Sequence, residues 1–218
     1  MKVGLIGLGR MGEGMSRRML KTGIEVYGYR RNVAKAQEAA ANGYITAAAD
    51  SLESLVQVVH QDDIAGKVPG IFQLVIPAEL VEDTINELLP LCVEGDIIID
   101  HGNSNFKDSR RRAERLAKLG IQYLDCGTSG GVYGLERGYC LMVGGADFAV
   151  RTCAPIFRAL SPGIGGAPRT NPLSYETSAE HGWLHCGPSS QSDLHQVPHN
   201  ASNHTLLGIG YNHLCHWF

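Results

Sequence analysis

The sequence predicts an α/β fold with a doubly wound, mainly parallel β-sheet covered by helices on both faces. Up to about residue 125, apolar runs of strand length alternate with segments of helical periodicity. Residues 97–99 are all isoleucine, as expected for a strand that is buried on both faces. Three predicted helices are followed by the glycine that a left-handed C-cap needs, at Gly23, Gly43 and Gly120.

The predicted elements follow one another in a regular order. We predict strands at 2–6, 24–29, 70–76, 96–100 and 122–125, with a further strand at 139–143. Helices are predicted at 11–21, 33–42, 51–59, 81–89, 107–119 and 146–160. The basic residues near the start of the fifth helix are predicted to form its solvated face: Arg110, Arg111, Arg112 and Arg115.

The opening twelve residues contain the most informative motif of the chain. A short apolar strand ends on Gly7-x-Gly9-x-x-Gly12, and a helical pattern of methionines follows. Gly7 permits a tight turn, Gly9 lets the backbone approach a pyrophosphate, and Gly12 lets helix and strand pack closely. The helix N-terminus then directs its free N–H groups at the phosphates. A Rossmann-type, dinucleotide-binding domain is therefore predicted, with the turn residues as cofactor ligands: Gly7, Leu8, Gly9, Arg10, Met11 and Gly12.

The end of the second strand predicts which dinucleotide is bound. NAD-preferring proteins of this fold place an acidic residue there, which accepts hydrogen bonds from the adenosine ribose. Here the segment contains Arg30, Arg31 and Asn32 and no acid. Guanidinium groups suit a 2′-phosphate, which favours NADP over NAD. The alternative is that both arginines are ordinary solvated charges in a turn.

Composition excludes several other classes of function. The 218 residues include 19 basic and 22 acidic ones, and a net charge of −3 argues against nucleic-acid or membrane-surface binding. No apolar stretch is long enough for a membrane span and Met1 leads directly into a strand, so we expect a cytoplasmic protein. The cysteines form no C-x-x-C pair and are expected to be free thiols: Cys92, Cys126, Cys140, Cys153, Cys186 and Cys215.

The character of the chain changes after residue 160. Residues 1–160 are predicted to form the NADP-binding domain and residues 161–189 a connecting segment rich in Pro, Gly, Ser and Thr. Within residues 190–218 only Asp193 carries a formal charge, and nothing there predicts a well-specified fold. The histidines and cysteine of this segment lack convincing zinc-ligand spacing, so no metal site is expected: His195, His199, His204, His213, Cys215 and His216.

Four segments together resemble 6-phosphogluconate dehydrogenase, in its shorter bacterial-type branch. They are Gly7-Leu-Gly-Arg-Met-Gly12, Val75-Ile-Pro-Ala78, Asp96-Ile-Ile-Ile-Asp-His-Gly-Asn-Ser104 and the block from Asp125 to Gly145 with its Thr-Ser-Gly-Gly and Leu-Glu-Arg-Gly-Tyr motifs. The resemblance covers about residues 1–189. It implies oxidation of 6-phosphogluconate at C3 with NADP, then loss of CO₂ to give ribulose 5-phosphate in the pentose phosphate pathway.

The resemblance also implies roles for particular residues. Val75 and Pro77 match the loop on the nicotinamide side, and Asn103 is expected to bond cofactor or substrate. The matching substrate loop is Ser129, Gly130 and Gly131, whose backbone N–H groups can face an anionic sugar acid. For Val75 and Pro77 the alternative is a proline-marked strand exit, and for Asn103 it is a turn-capping asparagine. For the loop at Ser129 it is an ordinary glycine turn.

The resemblance fails where the family carries its catalytic groups. Gln196 replaces the lysine general base and Asn203 the glutamate general acid, while His199 and Asn200 match the substrate-binding pair. No catalytic residue is intact, the last lysine is Lys118, and the chain is expected to retain only a fragment of the family's all-helical C-terminal domain.

We therefore expect a dehydrogenase-like chain with impaired turnover. The alternatives are an inactive NADP-binding module and a related β-hydroxyacid dehydrogenase. The expected partner is a small sugar-acid phosphate, and the family's homodimer is not expected because the helical domain supplies its contacts. The tail from residue 190 also resembles the product of a changed reading frame.

Overall fold

The computed structural model describes residues 1–61, 68–164 and 178–189. In these ranges the strands are β1 Lys2–Ile6, β2 Glu25–Tyr29, β3 Ala47–Ala48, β4 Ile71–Leu74, β5 Ile97–Asp100, β6 Gln122–Ser129, β7 Cys140–Gly144 and β8 Trp183–Gly187. The helices are α1 Arg10–Lys21, α2 Val33–Ala41, α3 Leu52–His60, α4 Ala78–Leu88, α5 Phe106–Ala117, α6 Gly134–Arg137 and α7 Asp147–Leu160. Short 3₁₀ turns lie at Leu89–Leu91, Gly131–Tyr133 and Ser178–His181.

All the described strands belong to one sheet, in the order β3-β2-β1-β4-β5-β6-β7-β8. Neighbouring strands are parallel except for β6 and β7, which pair antiparallel. The predicted Rossmann-type, mainly parallel fold is confirmed. Because the chain runs outward in both directions from β1 and β4, a crevice opens between the carboxyl ends of these two strands, where ligands bind in such sheets.

Helices cover both faces of the sheet, and each face has its own apolar core. On one face α1 and α7 pack through Met15, Met19 and Phe157 against β1 and the strands of the second half. On the other face α3 and α4 contribute Leu55 and Ile85. This double cover explains why the central strands are continuously apolar rather than alternating.

Several elements differ from the prediction. The strand β8 lies within residues 161–189, which the sequence presented as a connecting segment, and it joins the sheet by pairing with β7. The strand β6 continues to Ser129 because β7 pairs antiparallel with its last residues. Helix α4 begins at Ala78 rather than residue 81, with Pro77 at its N-cap. Parallel partners far apart in sequence leave no local pattern, and this is why β8 was missed.

Two further predictions concern a fragment of a helical domain and the absence of a membrane span. The expected fragment of a helical domain at 190–218 lies outside the described residues. Among the residues that are described, no helix combines the length and the apolar character needed to cross a membrane.

Candidate dinucleotide site

The turn between β1 and α1 is built around two glycines that packing requires. Gly7 has φ +106°, and a Cβ there would overlap the carbonyl oxygen of Val75. A Cβ on Gly12 would overlap the carbonyl oxygen of Gly7. The turn can therefore pass close to both β4 and α1 only without side chains at these two positions.

Gly9 differs from these two because nothing in the protein crowds it. No atom lies within 4 Å of the position of a Cβ on Gly9, which is exposed and forms the N-cap of α1. Among the described residues, no side chain caps the first N–H groups of this helix, which belong to Arg10, Met11 and Gly12. An open space above an uncapped helix N-terminus fits the diphosphate of a dinucleotide.

A cavity of about 370 Å³ extends from this turn. It brings together eight of the predicted cofactor residues, namely Gly7, Leu8, Gly9, Arg30, Arg31, Asn32, Val75 and Pro77. Its other walls come from Ile6, Tyr29, Leu52, Ile76, Leu80, Thr84 and Glu87. A larger cavity of about 720 Å³ lies at the opposite edge of the sheet, beside Gln122 and Gly145, but the predicted site residues that are described do not line it.

The residues after β2 have three different environments. The Arg30 guanidinium donates a hydrogen bond from Nη1 to the Leu8 carbonyl oxygen at 2.9 Å, which ties it to the glycine turn. The Asn32 side chain caps α2 by accepting from the Lys35 backbone N–H at 3.2 Å. Arg31 is exposed at the wall of the cavity. The last residue of β2 is Tyr29, so no acid stands at the end of this strand.

The loop after β5 carries Asn103, which is exposed at the same edge of the sheet. Asp100 fixes this loop on both sides of Asn103. It accepts a hydrogen bond from the Gly102 backbone N–H at 2.8 Å and another from the Ser104 hydroxyl at 3.0 Å. Asn103 does not line the cavity beside the glycine turn; it lies two strands farther along, past β4.

Arg112 was predicted to be solvated, and for this residue the prediction is wrong. Its side chain is 5% exposed, and Nε donates to a Glu82 carboxylate oxygen at 2.9 Å. Its Nη1 donates to the Ser104 hydroxyl at 3.0 Å and lies 3.4 Å from Asp100. Arg110, in contrast, is exposed and pairs with Glu114.

The charge state of this buried group follows from its partners. Burial lowers the pKa of Arg112, but the bond to Glu82 and the nearby Tyr123 and Asp100 oxygens raise the pKa by more, so the guanidinium stays charged. Burial raises the pKa of Asp100, and the donors around it, including the Tyr123 hydroxyl at 2.7 Å, offset only part of that rise. The buried residues of α5 are Ser109, Arg112 and Leu116, which lie on one face of the helix.

A buried histidine next to this loop was also missed. The His101 ring lies 2.9 Å from the Gln73 side-chain oxygen through Nε2 and 2.9 Å from the Thr128 hydroxyl through Nδ1. Burial lowers the pKa of His101 to about 3, so the imidazole is neutral. The Gln73 amide nitrogen donates to the Met19 sulfur, which leaves its oxygen to accept from Nε2–H. His101 thus joins the carboxyl ends of β4, β5 and β6.

The predicted substrate loop follows directly from β6. Ser129 ends the strand, and Gly130 and Gly131 have φ +138° and +48°. The Tyr139 ring packs under the loop, 3.0 Å from where a Cβ on Gly130 would be, and allows no side chain at Gly134. Tyr139, the last residue of the Leu-Glu-Arg-Gly-Tyr motif, therefore supports this loop from the protein interior. Like Asn103, the loop lies at the carboxyl edge of the sheet and outside the cavity.

The predicted residues of the tail lie outside the described residues: Gln196, His199, Asn200 and Asn203. The tail histidines lie there too, and among the described residues no group of His, Cys, Asp or Glu could hold a metal ion. Five cysteines are free thiols in the structure, and Cys215 is not described: Cys92, Cys126, Cys140, Cys153 and Cys186.

Comparison with known proteins gives a consistent result across sequence and structure. The family model described as the NAD binding domain of 6-phosphogluconate dehydrogenase matches residues 2–167. The chain is 31% identical over 207 residues to the putative 6-phosphogluconate dehydrogenase YqeC of Bacillus subtilis, a match over 95% of the chain and 61% of the relative. It is 35% identical over 207 residues, 95% of the chain and 60% of the relative, to an NAD(+)-dependent, decarboxylating 6-phosphogluconate dehydrogenase of Haloferax volcanii.

Similar solved structures include the 6-phosphogluconate dehydrogenase of Plasmodium falciparum, described in its apo form and with NADP+ or 6-phosphogluconate. It aligns with a TM-score of 0.74 and 27% identity over 92% of the chain and 40% of that protein. The 3-hydroxyisobutyrate dehydrogenase of Mycobacterium tuberculosis shares the fold, with a TM-score of 0.71 and 22% identity over 91% of the chain and 58% of that protein. The chain spans about three fifths of the length of the two relatives that match almost all of it.

Proposed function

The chain belongs to the 6-phosphogluconate dehydrogenase family, and from this premise we propose that it binds NADP as part of the oxidative decarboxylation of 6-phosphogluconate to ribulose 5-phosphate. We further propose that turnover is impaired in this chain. The observation that carries the proposal is the cavity beside Gly9, which is lined by the N-cap of the uncapped helix α1 and by Arg30 and Arg31. The free thiols of the described residues fit a reducing compartment such as the cytoplasm, where we place the pentose phosphate pathway step.

The cofactor's diphosphate is assigned to the space above Gly9. Backbone N–H groups of the first turn of α1 donate to it, and the helix dipole adds a favourable charge. Val75 and Pro77 are assigned to the nicotinamide half, because they follow β4, which lies on the side of β1 away from β2. When bound, NADP accepts a hydride from the substrate.

The preference for NADP is assigned to Arg31. It is exposed at the cavity wall, so its guanidinium is available for bidentate bonds to a 2′-phosphate. Arg30 supports the turn through its bond to the Leu8 carbonyl oxygen, and it adds positive charge nearby. One relative is named as NAD(+)-dependent, so the choice between the two cofactors needs a direct measurement.

The substrate is assigned to the edge formed by the loops after β5 and β6. The Asn103 amide can donate to a hydroxyl or carboxylate oxygen, and the positive φ angles of Gly130 and Gly131 suit a backbone that presents N–H groups to an anion. Asp100 bonds the first loop and the Tyr139 ring packs against the second, so contacts within the protein position both loops for a substrate.

Impaired turnover is proposed from the residues at the family's catalytic positions. Gln196 stands in place of the lysine base and Asn203 in place of the glutamate acid. Neither amide side chain can act as a general acid or a general base near neutral pH. The loss of general acid–base help costs roughly 10²–10⁴-fold for each group.

The test is to measure binding and turnover on the same 218-residue chain. NADPH fluorescence titration should show binding, and an assay with NADP and 6-phosphogluconate should show no NADPH formation above background. The control variant is Gly9→Ala, which has ample room for the methyl group at φ −85° and should fold normally but lose NADPH. Turnover by the unaltered chain would contradict the impaired site, and equal NADPH affinity in Gly9→Ala would remove the assignment of the diphosphate.

A further inference from the structure

An acidic residue of α4 lines the dinucleotide cavity and has no role in the function proposed above. Glu87 is exposed in the last turn of the helix. Together with Leu80 and Thr84 it forms the α4 wall of the cavity, at the spacing that places residues on one face of a helix. An acid is thus present in the cavity although β2 does not supply it.

The position of Glu87 along α4 places it far from the diphosphate. The helix begins beside the glycine turn, since the Val75 carbonyl contacts Gly7 and Pro77 is the N-cap. At 1.5 Å per residue, Glu87 lies about 14 Å along the axis from Ala78. Glu87 and the glycine turn therefore line one cavity from two well-separated positions.

The walls between these two points are mostly apolar. Leu8, Leu52 and Leu80 line the cavity from three different elements, and the first two are buried. Flat apolar walls suit the faces of a purine ring, and a polar group at the end of such a slot fixes the orientation of the ligand. A carboxylate can only accept hydrogen bonds, and it repels phosphate. Adenosine donates from its ribose hydroxyls, which lie next to the diphosphate, and from the 6-amino group of the base, which lies far from it. Because Glu87 is near the far end of α4, the matching donor is the 6-amino group.

We propose that Glu87 selects adenine by accepting a hydrogen bond from its 6-amino group; this inference rests on the proposed dinucleotide function. The carboxylate acts as a specificity group at the end of the cavity opposite the glycine turn. Thr84, which is buried, lies between Leu80 and Glu87 on the same wall.

The experiment compares two nucleotides on four proteins. The nucleotides are NADP and its 1,N6-etheno analogue, in which a ring replaces both amino hydrogens, and affinities are measured by calorimetric titration. The proteins are the unaltered chain, Glu87→Ala, Glu87→Gln and the control Asp83→Ala, which removes another exposed acid of α4 that does not line the cavity.

Glu87→Ala should lower the affinity for NADP about fivefold, the effect of one net hydrogen bond, and should leave the affinity for the etheno analogue nearly unchanged. Glu87→Gln retains an accepting oxygen and should restore most of the affinity for NADP, while Asp83→Ala should alter neither nucleotide. Equal losses for both nucleotides in Glu87→Ala, or no loss for NADP, overturn this inference alone. If the unaltered chain binds neither nucleotide, the proposed function fails and this inference fails with it.

Discussion

Two groups of arginines look alike in the sequence and behave differently in the structure. Arg30 and Arg31 follow β2 at the carboxyl edge of the sheet, where one bonds a backbone carbonyl and the other is exposed. Arg112 lies on α5, where it is buried and bonded to Glu82, with Asp100 3.4 Å away. Arg31 is available to a ligand, whereas Arg112 has donors committed to Glu82 and Ser104 inside the protein.

The difference shows that the surroundings, and not the residue type, decide what an arginine does. A guanidinium in solvent keeps its donors free for an anion that binds later. A buried guanidinium must be paired, because an unpaired buried charge is costly, and it then stabilises the partner that it neutralises. Two experiments test this contrast, the one with the larger effect first, and a third extends it to the buried side chain of His101.

Removal of Arg112 should have the largest effect. Arg112→Ala removes a buried cation that bonds Glu82 and Ser104 and lies 3.4 Å from Asp100, so we expect a loss of about 3–5 kcal/mol in the free energy of unfolding. Urea unfolding followed by circular dichroism measures this loss. The control is Arg110→Ala on the same helix, whose exposed ion pair with Glu114 should contribute less than about 1 kcal/mol. Similar losses in both variants would mean that burial does not separate the two arginines.

Removal of Arg31 should change affinity rather than stability. Arg31→Ala should weaken NADP about 10- to 100-fold, because a charge-assisted bond to the 2′-phosphate is lost, and should leave NAD almost unaffected. Arg30→Ala should weaken both nucleotides, since it frees the Leu8 carbonyl of the glycine turn.

Fluorescence titration with NADPH and NADH distinguishes these outcomes. Lys35→Ala is the matched control, because it removes a nearby exposed cation that does not line the cavity. If Arg31→Ala weakens both nucleotides equally, the case for recognition of a 2′-phosphate is lost.

The neutral state of His101 gives a prediction about pH. The pKa of His101 is about 3 in the folded chain and about 6.5 when unfolded, so the unfolded chain takes up a proton first as the pH falls. The stability from this residue is present above pH 6.5 and decreases as the pH falls toward 3. We expect the contribution of His101 to make the free energy of unfolding about 2 kcal/mol lower at pH 5 than at pH 7.

Urea unfolding at the two pH values, with His101→Gln alongside, isolates this contribution. Glutamine can bond Gln73 and Thr128 but does not titrate, so its stability should change less between the two pH values. An identical pH dependence in both proteins would show that the histidine is not buried as a neutral ring.

Much of the fold could be predicted because its signals are local. Strand, glycine turn and helix follow one another within the first 21 residues, and the structure places β1 and α1 there. The short strand β3 and the late strand β8 were missed, because each is held by pairing with a strand far away in the chain. The site residues around Gly9 could be named for the same local reason, whereas Glu87 and His101 could not.

The sequence by itself determined the turn at Gly7, Gly9 and Gly12, since only residues without a Cβ allow that backbone to pass so close to its neighbours. It also determined the family, through motifs of a few adjacent residues each. Only the tertiary structure decided which arginine is buried, which acid enters the cavity and which histidine joins three strands. These depend on distances between elements that are far apart along the chain, and no local pattern of residues encodes them.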